Sequence, residues 1–421
     1  MYRIKIPVGI EDFESIRTSG FYYIDKTKFI TELVEEAFSV NLITRPRRFG
    51  KTLMMSMLEC FFDIRRDHTE LFQGLYIAEN EEVCKMWMNR WPVLFLSLKD
   101  IASSKFQTSY EQLAFIISSL CMEHDYLLES DKVSSTDKKR FVKMMDCEAN
   151  EVEIRNSLLI LMRMLYAHYG KQVILLIDEY DVPLAKANEY GYYKEMLDLI
   201  RGIMSTALKT NKFLKLSVIT GCLRIAKESI FTGTNHFKSH SIDGTRYLDS
   251  FGFTEKEVMK LLEDTGLSSY AKQIKSWYDG YRFGEFDIYC PWDVVNYVSD
   301  LRMDRNLYPK NYWKDTSHNN IIRTFIGNKD IHVNDKFEEL LSGGTVKVQI
   351  REDLTYDFEH STEDNFWSIL YLTGYLTKAS NEENIPSQYI SLKIPNEEVK
   401  TIFADTIVEW FKDTMRQTNR F

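Results

Sequence analysis

The sequence predicts an α/β protein built on a parallel sheet, and three observations carry that expectation. Four short apolar runs punctuate residues 39–220, stretches of helical spacing lie between them, and the first run passes through a basic turn straight into a helix. Continuous apolar, β-branched runs suit strands buried on both faces. Strands alternating with helices make a layered α/β core.

The strand candidates are Ser39 to Thr44, Pro92 to Leu98, Val173 to Ile177 and Phe213 to Thr220. Leu53, Met54, Met57, Leu58 and Phe61 recur at helical spacing after Thr52, as do Ile154, Leu158, Leu161 and Leu165 within Glu151 to Tyr169. The more polar stretch 103–150 reads as a helical insertion, placing a first domain at 1–249. Character changes near Ser250. Residues 250–330 are mostly helical in pattern, opening on the capping box Thr254-Glu255-Lys256-Glu257. Residues 331–421 mix a helix with short strands such as Thr345 to Ile350 and end in an amphipathic helix from about Asn396 to Met415.

A chain of 421 residues admits two or three domains at roughly 150 residues each. Hydrophobic residues make up 44% and charged residues 27%, an ordinary globular composition. With 53 Lys and Arg against 62 Asp and Glu, the net charge of −9 excludes coating nucleic acid by bulk positive charge, though a local basic groove stays open. The 6 cysteines are scattered without a CxxC pair, which speaks against a disulfide framework or zinc knuckle and fits a reducing compartment. The amino terminus lacks the apolar stretch of a signal peptide. No run approaches the roughly 18 apolar residues needed to span a bilayer. The expectation is a cytoplasmic protein with no membrane partner.

Chemistry enters at Arg45-Pro46-Arg47-Arg48-Phe49-Gly50-Lys51-Thr52. A phosphate-binding loop needs backbone N–H groups around an anion, a lysine for the outer phosphates and a hydroxyl for Mg²⁺. Gly50, Lys51 and Thr52 match these needs, and Arg47, Arg48, Phe49 and Leu53 complete the candidate cradle. Arg45 stands where such loops usually carry glycine, so the strict pattern fails; a basic turn capping a surface helix is the alternative. A second signal is Asp178-Glu179 at the end of the most apolar run. There Asp178 would hold Mg²⁺ with Thr52, and Glu179 would polarise the attacking water; a solvated strand end or a helix N-cap is the alternative.

A third signal is Thr220-Gly221. If its strand lies between the loop strand and the Asp178 strand, Thr220 would sit near the γ-phosphate; otherwise it simply closes a strand. Arg224, from the same or a neighbouring subunit, is a candidate for stabilising phosphoryl transfer, with Arg47 and Arg48 as rivals and surface salt bridges as the alternative for each.

These residues resemble the bacterial and archaeal AAA-ATPase-like proteins, whose P-loop module is commonly followed by a PD-(D/E)XK-type nuclease region. The similarity is carried by Val8 to Phe13, Tyr23 to Thr27, Arg45 to Thr52, Leu176 to Asp181, Thr220-Gly221 with Ser229 to Phe231, Trp277 to Gly284, Tyr312-Trp313 and Thr316-Ser317. The resemblance makes the arginine-rich loop the family's own variant. It implies a P-loop NTPase with a sheet of the additional-strand (AAA/STAND-like) type, a helical lid, and ATP and Mg²⁺ as ligands. No Asp…Glu-x-Lys arrangement on paired strands is apparent in 331–421, so nuclease activity is not expected in this chain.

Tyr23 to Thr27 lies where related ATPases often contact adenine; a strand-to-helix turn capped by Asp25 is the alternative. The Trp277 to Gly284 block reads as part of a lid or a peptide or DNA surface, or as packing beside a tight turn. His236, His240, His318, His332 and His360 lack metal-ligand spacing. The expected function is a Mg²⁺-dependent ATPase acting as a switch or motor on an unknown protein or nucleic-acid partner, with a homo-oligomer left open. The alternatives are a nucleotide-gated interaction module with negligible hydrolysis and the ATPase subunit of a DNA-processing or defence system.

Overall fold

The computed structural model describes residues 4–36, 38–225, 230–231, 233–234, 236–313, 334–351, 354, 362–379 and 389–406. Five strands form one wholly parallel sheet: β1 Val40–Thr44, β2 Val93–Ser97, β3 Val173–Asp178, β4 Leu214–Gly221 and β5 Phe237–His240, in the order β2-β3-β4-β1-β5. Every residue of β1 and β3 is buried, as a sheet covered on both faces requires.

Side-chain alternation divides the strands between two cores. Val173, Leu175 and Ile177 face one, and Ile174 and Leu176 face the other. The second core is covered by α1 Phe13–Thr18, α2 Lys28–Val34, α3 Lys51–Phe62 and α4 Glu81–Trp87. The first is covered by α5 Phe106–Met122, α6 Ser135–Met145, α7 Glu151–Arg155, α8 Ser157–Tyr169, α9 Val182–Glu189 and α10 Tyr193–Leu208. Residues 103–150, expected to be helical, contain α5 and α6. The single helix expected from Glu151 to Tyr169 is instead two, because Asn156 ends α7 and starts α8 with a non-helical backbone.

The strand carrying Thr220 does lie between the loop strand and the Asp178 strand. Register pairs Ile43 with Thr220, Thr44 with Gly221 and Ile177 with Ile219. The carboxyl ends of β1, β4 and β3 therefore finish side by side.

From Phe253 the chain forms α11 Glu255–Thr265, α12 Ala271–Tyr278 and α13 Pro291–Met303 around a separate core. The capping box at Thr254 is present. Three short antiparallel strands, absent from the sequence expectation, accompany the helices: β6 Phe253–Thr254, β7 Tyr281–Phe283 and β8 Phe286–Tyr289. The Trp277 to Gly284 block thus ends α12 and enters β7. Beyond it, β9 Val346–Gln349, β10 Thr377–Lys378 and β11 Tyr389–Lys393 form a third sheet beside helices Asn334–Leu341 and Glu363–Leu372. The expected terminal helix is present over 397–406, and its remainder lies outside the described residues, as do Thr316-Ser317, Ser229, His318, His332 and His360.

No described helix is long and apolar enough to cross a membrane, and no group of His, Cys, Asp and Glu fit for a metal cluster occurs among the described residues.

Candidate functional site

Residues 45–50 carry the chain from β1 to α3. Gly50 caps α3 with φ 83°, a left-handed conformation that favours glycine, and Arg48 turns the loop with φ 70°. The first N–H groups of α3 thereby open onto the cleft as a site for anions.

Arg45, which stands where such loops usually carry glycine, is turned into the interior. Its guanidinium is fully buried and donates to the carbonyls of Thr44 (2.8 Å), His240 (2.8 Å) and Tyr247 (2.7 Å). It also lies 5.3 Å from the Phe251 ring and 5.6 Å from Phe283. Burial lowers its pKa to about 9. Arg45 is a pillar beneath the loop, tying β1 to the segment after β5.

Lys51 is nearly enclosed. Its ammonium donates to the carbonyls of Arg45 (3.1 Å) and Pro46 (3.0 Å) and lies 3.8 Å from Cys222 Sγ. Burial alone would lower its pKa, but Cys222, Glu179, Asp181 and Asp178 outweigh it, so the net displacement is upward. Lys51 remains charged.

Asp178 is fully buried at the end of β3. Thr52 Oγ1 donates to its Oδ2 at 2.8 Å, and Thr220 Oγ1 donates to its Oδ1. Burial raises its pKa, countered by the two hydroxyls and Lys51. Glu179 then adopts φ 53°, its amide donating to Thr220 Oγ1 at 3.2 Å. This sharp turn separates adjacent acids: Asp178 stays inside while Glu179 lines the cleft. Asp178 and the Thr52 hydroxyl form a hard-oxygen pair suited to Mg²⁺, and a buried carboxylate held only by hydroxyls is the kind of group a cation compensates.

The cleft is a cavity of about 430 Å³. Arg47, Arg48, Phe49, Gly50, Lys51, Thr52, Leu53 and Glu179 line it. Tyr22, Tyr23, Ile24, Phe253, Leu261 and Trp292 line it as well, with Ile6, Pro7 and Ile10. The Phe49 ring turns away to pack on Tyr281 and Phe283, at 5.0 and 5.3 Å between centroids. Tyr23, Ile24 and Lys26 therefore border the cavity, while Asp25 accepts from the Thr27 amide and hydroxyl and so holds the turn. Thr220 reaches the site through Asp178 and Glu179 rather than by lining the cavity. Arg224 does not line it and lies near Tyr180.

The sequence reading gave no role to Trp292 or to the 6–10 segment. The Pro291-Trp292 pair at the start of a helix was the available signal, but nothing local places it against residue 48.

A family model described as predicted AAA-ATPase matches residues 7–231, more than half of the chain. The chain belongs to the predicted AAA-ATPase family. The family match spans β1 to β4, the loop and both acids, and the family is one of predicted ATPases. The chain is also 25% identical over 429 aligned positions to an uncharacterized protein in the vnfD 5′ region of Azotobacter chroococcum mcd 1, covering 100% of this chain and 74% of that protein. No solved structure gives a significant match.

Proposed function

We propose that this chain binds ATP with Mg²⁺ in the cleft and hydrolyses it, acting as a nucleotide-driven switch or motor. The observation that carries the reading is the convergence of Lys51, the Thr52–Asp178–Thr220 hydroxyl–carboxylate chain and Glu179 at the ends of three neighbouring strands, at the mouth of one cavity.

Lys51 exchanges its two carbonyl acceptors for the outer phosphates, where its charge opposes theirs. Asp178 and Thr52 hold Mg²⁺, which supplies charge neutralisation on the phosphates. Glu179 orients the attacking water, and Thr220 fixes both Asp178 and the Glu179 amide. The apolar lining residues of the cavity receive the base. Helices α11 and α13, which contribute Leu261, Trp292 and Val295 to the cavity, act as the lid.

A second reading, a nucleotide-gated interaction module with negligible hydrolysis, is favoured by the grip of downstream regions on the loop. Phe49 packs on Tyr281 and Phe283, and a Cβ on Gly374 would stand 3.0 Å from the Pro46 Cβ. Phosphate release from Mg²⁺-ATP, beside nucleotide binding, tests both. Lys51→Ala should lose binding, and Glu179→Gln should bind but not turn over. Wild-type turnover in Glu179→Gln would remove Glu179 from its role; tight binding without turnover in the wild type would leave the gated module.

A further inference from the structure

Next to the proposed site, Tyr180 and Asp181 make a set of contacts that the roles above do not use. Both side chains are buried. Asp181 Oδ2 accepts from the amides of Cys222 (2.9 Å) and Leu223 (3.0 Å). The Tyr180 hydroxyl donates to the Leu223 carbonyl (2.8 Å) and accepts from the Ile225 amide (3.0 Å), while the Tyr180 amide donates to the Thr220 carbonyl (3.0 Å). Two consecutive residues after β3 thus hold the whole turn that leaves β4.

The approach is close enough to require glycine. A Cβ on Gly221 would stand 2.7 Å from Tyr180 Cε1 and 2.8 Å from Asp181 Oδ1. The turn in turn carries the phosphate loop, because the Arg45 amide donates to the Gly221 carbonyl at 3.1 Å and Cys222 Sγ lies 3.8 Å from the Lys51 ammonium. Lys51 itself rests on the carbonyls of Arg45 and Pro46. The ammonium is therefore seated between a loop anchored on Gly221 and a wall formed by Cys222, and both belong to the turn that Tyr180 and Asp181 fasten.

We infer that Tyr180 and Asp181 are positioning residues, fastening the 220–225 turn so that Lys51 has one defined seat beside Asp178. A carboxylate is the effective fastener here. It accepts two buried amides at once, and its charge adds to those that keep Lys51 an ammonium. The turn ends at Ile225, which pairs with Leu354, so the same fastening reaches the carboxyl-terminal region. Its consequence for turnover rests on the ATP-hydrolysing reading; the fastening of the turn does not.

The experiment uses the full chain with Asp181→Ala, Asp181→Asn and Tyr180→Phe. Iodoacetamide labelling is followed by mass spectrometry at Cys222 and, as controls, at Cys121 and Cys290, which are also buried. Loss of an acceptor for buried amides should open the turn locally, speeding Cys222 labelling about tenfold in Asp181→Ala and Tyr180→Phe with both controls unchanged. Asp181→Asn keeps an amide oxygen for the two N–H groups and should restore slow labelling. Steady-state phosphate release in Asp181→Ala and Tyr180→Phe should show kcat falling by a larger factor than KM rises. Three results overturn the proposal: wild-type protection of Cys222 in Asp181→Ala and Tyr180→Phe, acceleration of all three thiols together in both, or Asp181→Asn as open as Asp181→Ala. If the wild type releases no phosphate, the hydrolysis reading fails, and the labelling pattern still decides whether the turn is fastened as described.

Discussion

The guanidinium of Arg48 lies 4.3 Å from the centre of the Trp292 ring, joining the phosphate loop to the first turn of α13. The indole is itself held, its Nε1 donating to the Tyr312 carbonyl at 3.1 Å, and the Cys290 thiol reaches the Arg48 carbonyl at 3.8 Å. Both Arg48 and Trp292 line the cavity. A half-buried contact of this kind is worth about 1 kcal/mol.

Removing that ring should loosen the loop where ligand enters. Trp292→Ala is expected to weaken binding of a fluorescent ATP analogue about fivefold, with Trp292→Phe intermediate. Unchanged affinity in Trp292→Ala would show that the contact packs the surface without shaping the site.

Arg45 leads to a prediction opposite to the one a loop pattern would give. Putting glycine where phosphate loops usually have it should destabilise this chain, since Arg45→Gly strips a charged donor from three carbonyls and empties a site between Phe251 and Phe283. The expected cost is about 3 kcal/mol or more, from hydrogen bonds to a charged group and the cavity left behind. The denaturant midpoint checks it: an unchanged midpoint would mean that the buried guanidinium contributes nothing net.

The third prediction concerns pH. Asp293 at the start of α13 and Glu398 near the carboxyl terminus are both buried, and Glu398 Oε1 accepts from the amides of Tyr312 (2.6 Å) and Trp313 (3.0 Å). As two carboxylates they would leave buried oxygens without donors; sharing a proton, they bond to each other. Burial, reinforced for Glu398 by Asp293, pushes both carboxyls upward. The folded chain thus keeps a proton that the unfolded chain releases above the ordinary glutamate value of 4.5. Stability contributed by the pair is complete below the ordinary aspartate value of 3.8 and declines as pH rises. Glu398→Gln keeps the accepting oxygen and cannot ionise, so it should flatten this decline and raise the denaturation midpoint relative to wild type at about pH 8–9. Parallel stability curves for the two proteins would sink the prediction.

The parallel strands and the loop were legible because their signals are local. A strand buried on both faces must be apolar throughout, so Val173 to Ile177 announces itself, and a turn between such a strand and a helix needs Gly50 for its left-handed cap. Asp178-Glu179 stood out because paired acids closing an apolar strand are chemically conspicuous. Strand β5, with Lys238 and Ser239 on the sheet edge, carries no such uniform burial, and the two- to four-residue strands β6 to β8 are too short for a period to register.

What lay beyond the reach of the sequence was orientation between distant segments. The basic run 45–48 reads as one cationic turn, yet Arg45 points inward to His240 and Tyr247 while Arg48 lies against Trp292. Asp181 reads as one more acid in an acidic cluster until Gly221 brings the β4 turn against it. Periodicity and composition report what one residue's neighbours along the chain require. Which arginine is buried, and which carboxylate meets which amide, follows only when the strands take their order and segments far apart in sequence compete for the same buried space.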